Sequence, residues 1–423
     1  MKSALFGIYC IVILGLLIRA ESNTLPLLEK DLSFQELPSP VHGATLTYEL
    51  SSREARSPQS TYRGNANRSG LAISSGDHFN AFQLKWQVPQ LNNGIHRASK
   101  SSPAVDDQGF YVADDTGFLR AYDWTGSLRW QFYSGVSSRG IHSTPLTDED
   151  SVYVGDYAGH LYCLNKDTGA IRWITKTGVT IGSSPFMKDG VLYVGIELAK
   201  PDGYLLAVSA RDGKWLWTSP LIGNHPHSSP ALTLPHSLIL MGSNTGAMQA
   251  YELDDGKARW SFTTGSDIKC AALIHGDRAY FSSWDGFIYA VKADTGALIW
   301  KTELDKGGSM SCPSINADGT VLAITGFMKN FVLETATGKI MWEKAIAGRT
   351  SRAQASPLII SYAHQETVVM LCENRKICVY DLKNARELQS LTLSGDFSGS
   401  PVYFKNQLFL ATTGPDGLLV FTQ

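Results

Sequence analysis

Early in its last third the chain reads Asp294-Thr295-Gly296-Ala297-Leu298-Ile299-Trp300. Asp and Thr are turn formers, and a glycine after them can take the positive φ that ends a tight turn. The residues that follow alternate, which brings Trp300 back on a fixed face of the next strand. The same interval separates Gly126 from Trp130, Gly169 from Trp173, Gly213 from Trp217, Gly256 from Trp260 and Gly338 from Trp342. So constant a phase marks a structural repeat. It assigns these tryptophans, together with Trp86, to the seams between repeats, where flat sheets need broad apolar filler.

A second marker keeps step with the first. A small residue precedes proline at Ser102-Pro103, Thr144-Pro145, Ser184-Pro185, Ser229-Pro230, Cys312-Pro313, Ser356-Pro357 and Ser400-Pro401, and Ala271-Ala272 fills the remaining place. Repeats of 40 to 45 residues hold about four short strands each, the unit of a propeller blade. Innermost strands crowd around one axis, so small side chains suit that position. Proline can begin a strand because its first residue need not donate to the ladder. Seven full repeats start at Pro103, Pro145, Pro185, Pro230, Ala272, Pro313 and Pro357, and an eighth starts at Pro401 with room for three strands. Leu84-Lys85-Trp86-Gln87-Val88 is a free strand that can complete it. The expectation is an all-β, eight-bladed β-propeller of four-stranded blades, closed by the N-terminal strand around Trp86. The seventh repeat is degenerate: Lys383-Asn384-Ala385 stands for the turn, and Leu388 stands near the tryptophan place.

The remaining residues divide the chain. Lys2, the uncharged run Ala4 to Ile18 and the small residues of Ala20-Glu21-Ser22 read as a cleaved signal peptide over 1–22. Cys10 lies inside the apolar run, so no lipidation site is expected. Residues 23–60 lack the repeat and read as a flexible leader, and 61–423 as the propeller. The expected location is secreted or periplasmic, with no transmembrane segment after signal cleavage. The 37 basic and 39 acidic residues give a net charge of -2. That balance argues against a nucleic-acid partner, which needs a basic field. Cys163, Cys270, Cys312, Cys372 and Cys378 remain after the signal, an odd number without metal-type spacing. Cys372 and Cys378 flank a hairpin turn and could pair, but burial of all five as small hydrophobes is the reading taken here.

The stretch from Trp284-Asp285-Gly286-Phe287-Ile288-Tyr289-Ala290 through Trp300 resembles the quinoprotein repeat, named for dehydrogenases that use pyrroloquinoline quinone (PQQ). Tyr62-Arg63-Gly64-Asn65-Ala66-Asn67-Arg68-Ser69-Gly70 resembles the lead-in that such propellers carry. The resemblance covers about residues 61 to 423. It implies one of two functions. Quinone-dependent alcohol and sugar-alcohol dehydrogenases use adjacent cysteines, a calcium ion and a catalytic Asp; this chain has no Cys-Cys pair and no CxxCH. The non-catalytic, BamB-like branch presents loops to a partner protein in outer-membrane protein assembly. The expectation taken from it is a non-catalytic scaffold without a cofactor, binding a protein partner or a small anionic ligand as a monomeric propeller. PQQ with calcium belongs to the dehydrogenase alternative, and a carbohydrate-binding propeller is a third.

Residues three before each proline, or its equivalent, should ring one end of the axis. They are Lys100, His142, Gly182, His227, Lys269, Met310, Gln354 and Ser398, with Arg97, Arg139, His225 and Arg352 just upstream. Lys100, His142, His227, Lys269, Arg139 and Arg352 are the candidate ligand-binding residues, a set of cations that would attract a carboxylate or phosphate. The competing reading is a solvated loop surface. No metal site is expected from His142, His225, His227 and Asp267. Asp106, Asp107, Asp114, Asp115, Asp156 and Asp285 lie at turns, where Asp normally caps its own backbone. The Gly-x-Ser-x-Gly, P-loop and HExxH motifs are absent, so no catalytic residue is named. Trp124, Trp215 and Trp284 fall outside the repeat phase and could anchor a partner or cover a hairpin. Asn67-Arg68-Ser69 is a glycosylation sequon.

Overall fold

Antiparallel sheets follow one another along the chain, six of them four-stranded and built from four consecutive strands and two of them joined by an N-terminal strand. A computed structural model of the protein describes residues 60–89, 91, 101–136, 139–348, 355–397 and 399–423; the signal and nearly all of the leader lie outside them. Blade 1 comprises Ala104–Asp106, Gly109–Ala113, Phe118–Tyr122 and Leu128–Tyr133, and blades 2 to 7 repeat the order. Blade 8 has Val402–Phe404, Gln407–Ala411 and Leu418–Thr422, and Gln83–Val88 pairs with the last of these, Trp86 opposite Val420. The expected eight-bladed ring with its borrowed strand is the fold observed.

The spacing from glycine to tryptophan has a two-blade origin. Each tryptophan from Trp130 to Trp300 lies over the turn glycine of the next blade: a Cβ on Gly169 would sit 2.7 Å from Trp130, on Gly213 2.7 Å from Trp173, and on Gly338 2.5 Å from Trp300. The ring Nε1–H of Trp130, Trp173, Trp260, Trp300 and Trp342 also donates to a carbonyl of that next blade, at 2.8 to 3.1 Å. Trp86 covers Gly126 in the same way and seals blade 8 to blade 1. These glycines are therefore fixed twice, by a φ near +70° and by the ring above them. Gly169→Ala is expected to cost about 2–3 kcal/mol from strain and overpacking, read as a lower urea midpoint.

The small residue before proline is polar for a reason beyond space. Its backbone N–H donates to the side chain of the equivalent residue one blade on: Ser102 to Thr144 Oγ1, Thr144 to Ser184 Oγ, Ser184 to Ser229 Oγ, Ala271 to Cys312 Sγ, Cys312 to Ser356 Oγ, Ser356 to Ser400 Oγ and Ser400 to Ser102 Oγ. The bonds are buried and 2.8 to 3.2 Å long. Ala271 has no hydroxyl to receive Ser229, and there Ser228 Oγ donates to Cys270 O instead. Ser184→Ala strands the buried Thr144 N–H and should lower stability by about 1–3 kcal/mol, measurable by chemical denaturation.

The lead-in fills one end of the axis. Carbonyls of Ser60, Ala66, Asn67, Ser69 and Gly70 accept N–H bonds from Thr147, Leu232, Ile274, Ile315 and Ile359, each two residues past the proline or its equivalent in blades 2, 4, 5, 6 and 7. Arg68 is fully buried and donates to the carbonyls of Tyr62, Ser184, Pro185 and Pro230. Arg63 donates to those of Pro313 and Pro357. Leu71–Ile73 then adds a parallel strand inside blade 7. Phe79 and Phe82 pack with Tyr362, Tyr403 and Leu388 between blades 7 and 8, where the seventh repeat lacks its tryptophan. Gln389 holds Phe82 at both N–H and C=O. In the degenerate turn Ala385 itself takes φ 60°.

The structure corrects the cysteine reading. Cys372 and Cys378 form a disulfide within the blade 7 hairpin, while Cys163, Cys270 and Cys312 are free and buried.

Candidate functional site

The plug and the Gly-to-Trp turns occupy one face of the ring. The opposite face, here the mouth, carries the loops that lead into each innermost strand. It also carries the hairpins between second and third strands, because strands alternate in direction. Backbone bonds tie the two sets together, as in Thr177 N–H to Gly159 O, Leu304 N–H to Gly286 O and Ile346 N–H to Met328 O.

Of the candidate residues, His142, Arg139, His227 and Lys269 are described and reach this face; Lys100 and Arg352, with Gln354 and Ser398, lie outside the described residues. The mouth also holds an acid that lies outside the aligned loop positions. Glu197 ends the second strand of blade 3, Val191–Glu197, with a nearly buried side chain. His227 Nδ1 is 2.7 Å from its Oε1 and His225 Nδ1 is 3.6 Å from its Oε2. Asn224 and His225 both take left-handed backbone, φ 45° and 48°, and His227 N–H closes onto His225 O. This tight turn lays both imidazoles beside the carboxylate.

Gly182 marks where these groups converge. A Cβ there would lie 2.9 Å from Glu197 Oε1, 3.6 Å from the Tyr157 hydroxyl and 3.7 Å from His227 Nδ1. Burial, and then the Glu197 charge, push the Tyr157 hydroxyl above its ordinary pKa, with Arg139 opposing. Tyr157 therefore stays protonated. The buried His142 ring packs against it at a tilt of 47°, 3.9 Å between centroids, and the Arg139 guanidinium lies 6.0 Å from its ring. Two blades on, Lys269 Nζ is 3.4 Å from Asp267 and 4.2 Å from the Trp284 ring centroid. The described cations thus each meet an acid or an aromatic ring. The mouth is a surface of mixed charge with apolar points, Leu221 at 63% and Met328 at 42% exposure.

Sequence reasoning missed Glu197 because it aligned only the loops ahead of each proline. The signal was the interval from Pro185 to Pro230, the longest of the repeats, whose extra residues extend the hairpin after Glu197. The turn reading holds for four of the aspartates. Asp106, Asp114, Asp156 and Asp285 accept N–H bonds from their own turns. Asp156 and Asp285 also receive tyrosine hydroxyls from the next strand. Among the described residues no group of three acids, histidines or cysteines is arranged to hold a metal. Trp124 stacks on Phe404 and donates to Asp107 O, covering a hairpin, and Trp215 lies beside Tyr204; Trp284 alone of the three stands at the mouth.

The sequence model of the family described as outer membrane protein assembly factor BamB matches residues 115–283 and 284–388. The chain belongs to this BamB-like family of PQQ-repeat propellers. It is 24% identical over 267 residues to the outer membrane protein assembly factor BamB of Yersinia pestis, covering 57% of this chain and 65% of that one. The match thus spans just under two thirds of that relative. The crystal structure of BamB from Moraxella catarrhalis superposes with a TM-score of 0.63 at 15% identity, over 81% of this chain and 98% of the other. A europium-containing methanol dehydrogenase superposes with a TM-score of 0.72 at 12% identity, over 86% and 98%. At such identity both structures speak for the fold alone.

Proposed function

We propose that this member of the BamB-like family is a non-catalytic scaffold outside the cytoplasm that presents its mouth to a protein partner in the assembly of outer-membrane β-barrels. The family match carries the reading. The mouth supports it: cations already engaged by Glu197, Asp267 and aromatic rings suit a protein surface of both signs better than capture of one small anion. Exposed Leu221 and Met328 supply apolar anchors beside them.

The test is co-purification of the tagged chain with envelope proteins of its own host. Leu221→Glu with Met328→Glu at the mouth is expected to reduce capture of a β-barrel assembly component at least tenfold. Leu234→Glu, on the plug face, should leave it unchanged. Equal capture by both variants counts against the mouth, and no assembly component with any of them counts against the reading as a whole. Dye reduction by the purified chain given PQQ, calcium and an alcohol would turn the assignment to the dehydrogenase alternative.

A further inference from the structure

The hairpin that blade 7 sends to the mouth is built unlike its neighbours. In blades 1, 2, 4 and 5 this hairpin closes on a glycine of positive φ, and the residue after the outer strand donates to that glycine's carbonyl: Ser134 to Gly117, Thr177 to Gly159, Thr264 to Gly246 and Leu304 to Gly286. In blade 7 the corresponding donor, Leu393, meets Arg375 O. Glu373-Asn374-Arg375-Lys376 holds no glycine and no residue of positive φ.

A β-bulge stands there instead. Leu371 pairs with Ile377 and Glu373 with Lys376, so Cys372 is an extra residue with nothing opposite it in the ladder. The bulge has a use. Successive carbonyls of a regular strand point to opposite edges, yet two successive carbonyls here both meet blade 6. Leu371 O accepts from Nδ2 of the buried Asn330 at 2.6 Å, and Cys372 O accepts from Ala347 N–H at 3.2 Å. Ala347 and Glu373 also form a parallel bridge.

The disulfide and the bulge require each other. In a regular ladder Cys372 would lie opposite Lys376 and diagonal to Cys378, a separation of about 7–8 Å that a disulfide does not span. With the bulge the two Cα atoms are 5.6 Å apart and the bond forms. Cys378 is buried, whereas Cys372 is half-buried at the mouth end of the hairpin.

We propose that the Cys372–Cys378 disulfide is a redox-sensitive staple of the mouth: it holds the bulge that joins blade 7 to blade 6, and its reduction by a dithiol releases that seam. One thiolate of the dithiol attacks Cys372 Sγ, the more accessible sulfur, and Cys378 leaves as a thiolate that takes a proton from the second thiol. That second thiolate attacks the reductant's own sulfur in the mixed disulfide and expels the Cys372 thiolate, which is protonated by water. The protein disulfide gains two electrons, and the dithiol becomes a disulfide. The inference stands apart from the identity of any protein partner.

Hydrogen exchange before and after treatment with dithiothreitol is the test, with alkylation and mass spectrometry to follow the state of each cysteine. The native chain should be reduced at Cys372 and Cys378. Exchange at the Ala347 amide and across 370–376 should then become at least tenfold faster, while the Thr177 amide at the blade 2 hairpin stays as it was. A chain carrying Cys372→Ser and Cys378→Ser should match the reduced wild type; if it does not fold, the reduced wild type decides alone. Unchanged exchange at Ala347 in fully reduced protein overturns the proposal. So does a pair that resists the dithiol until the whole chain unfolds, or a rise in exchange spread equally over all blades.

Discussion

Arg68→Ala is expected to destabilise the fold by about 3–5 kcal/mol, the range for opening a large buried cavity and stranding its hydrogen-bond partners. The side chain bridges three parts of the axis. Its Nε donates to Pro230 O in blade 4, Nη2 to Ser184 O and Pro185 O at blade 3, and Nη1 to Tyr62 O in the lead-in itself. Removing it takes a donor from each of those buried carbonyls and leaves Pro185 O with Thr61 Oγ1 alone. Burial lowers the Arg68 pKa to about 10, so the charge persists at neutral pH and the bonds are charge-assisted. Arg68→Lys should recover little, because a single ammonium cannot reach all of these carbonyls in one plane. Thermal and urea unfolding of the three proteins checks the order wild type, Lys, Ala.

Trp130→Ala comes next, at about 3–5 kcal/mol for deletion of a buried aromatic. Trp130 is 7% exposed, covers Gly169 and donates to Lys166 O at 2.8 Å. Trp130→Phe keeps part of the cover and loses the donor, so it should fall between. Trp86→Ala should cost less, since that ring is only partly buried and its Nε1 has no acceptor among the described residues. Equal losses at Trp130 and Trp86 in urea titrations would mean that packing over the glycine, not the bond to the next blade, sets the energy.

The ring was legible because its two markers are local consequences of repeated contacts. Gly296 and Trp300 are four residues apart in sequence, yet each is fixed by a different neighbour: Gly296 lies under Trp260, and Trp300 lies over Gly338. Any repeat that keeps the contact keeps the spacing. The plug was not legible in the same way. Arg63 and Arg68 are polar residues on a segment without periodicity, and their partners are backbone carbonyls, which every residue offers. Phe79 and Phe82 replace a missing tryptophan from nearly 310 positions away, as their link to Gln389 shows. Glu197 escaped because an acid near a hairpin has the same sequence signature whether it caps a turn, as Asp156 does, or faces two histidines.

The joint between the two ends of the chain has a consequence for biosynthesis. Gln423 donates to Asn80 across 343 residues, and the lead-in cannot seat until the blade that begins at Pro357 exists. At about 5–20 residues per second, a ribosome takes roughly 20–70 s to make that interval. Within it Arg68 waits for Pro230, Arg63 waits for Pro357, and the Trp86 strand waits for Leu418–Thr422 at the very end. A nascent chain of this design travels with its clasp open, and whatever escorts it must shield an unpaired strand until the final blade emerges.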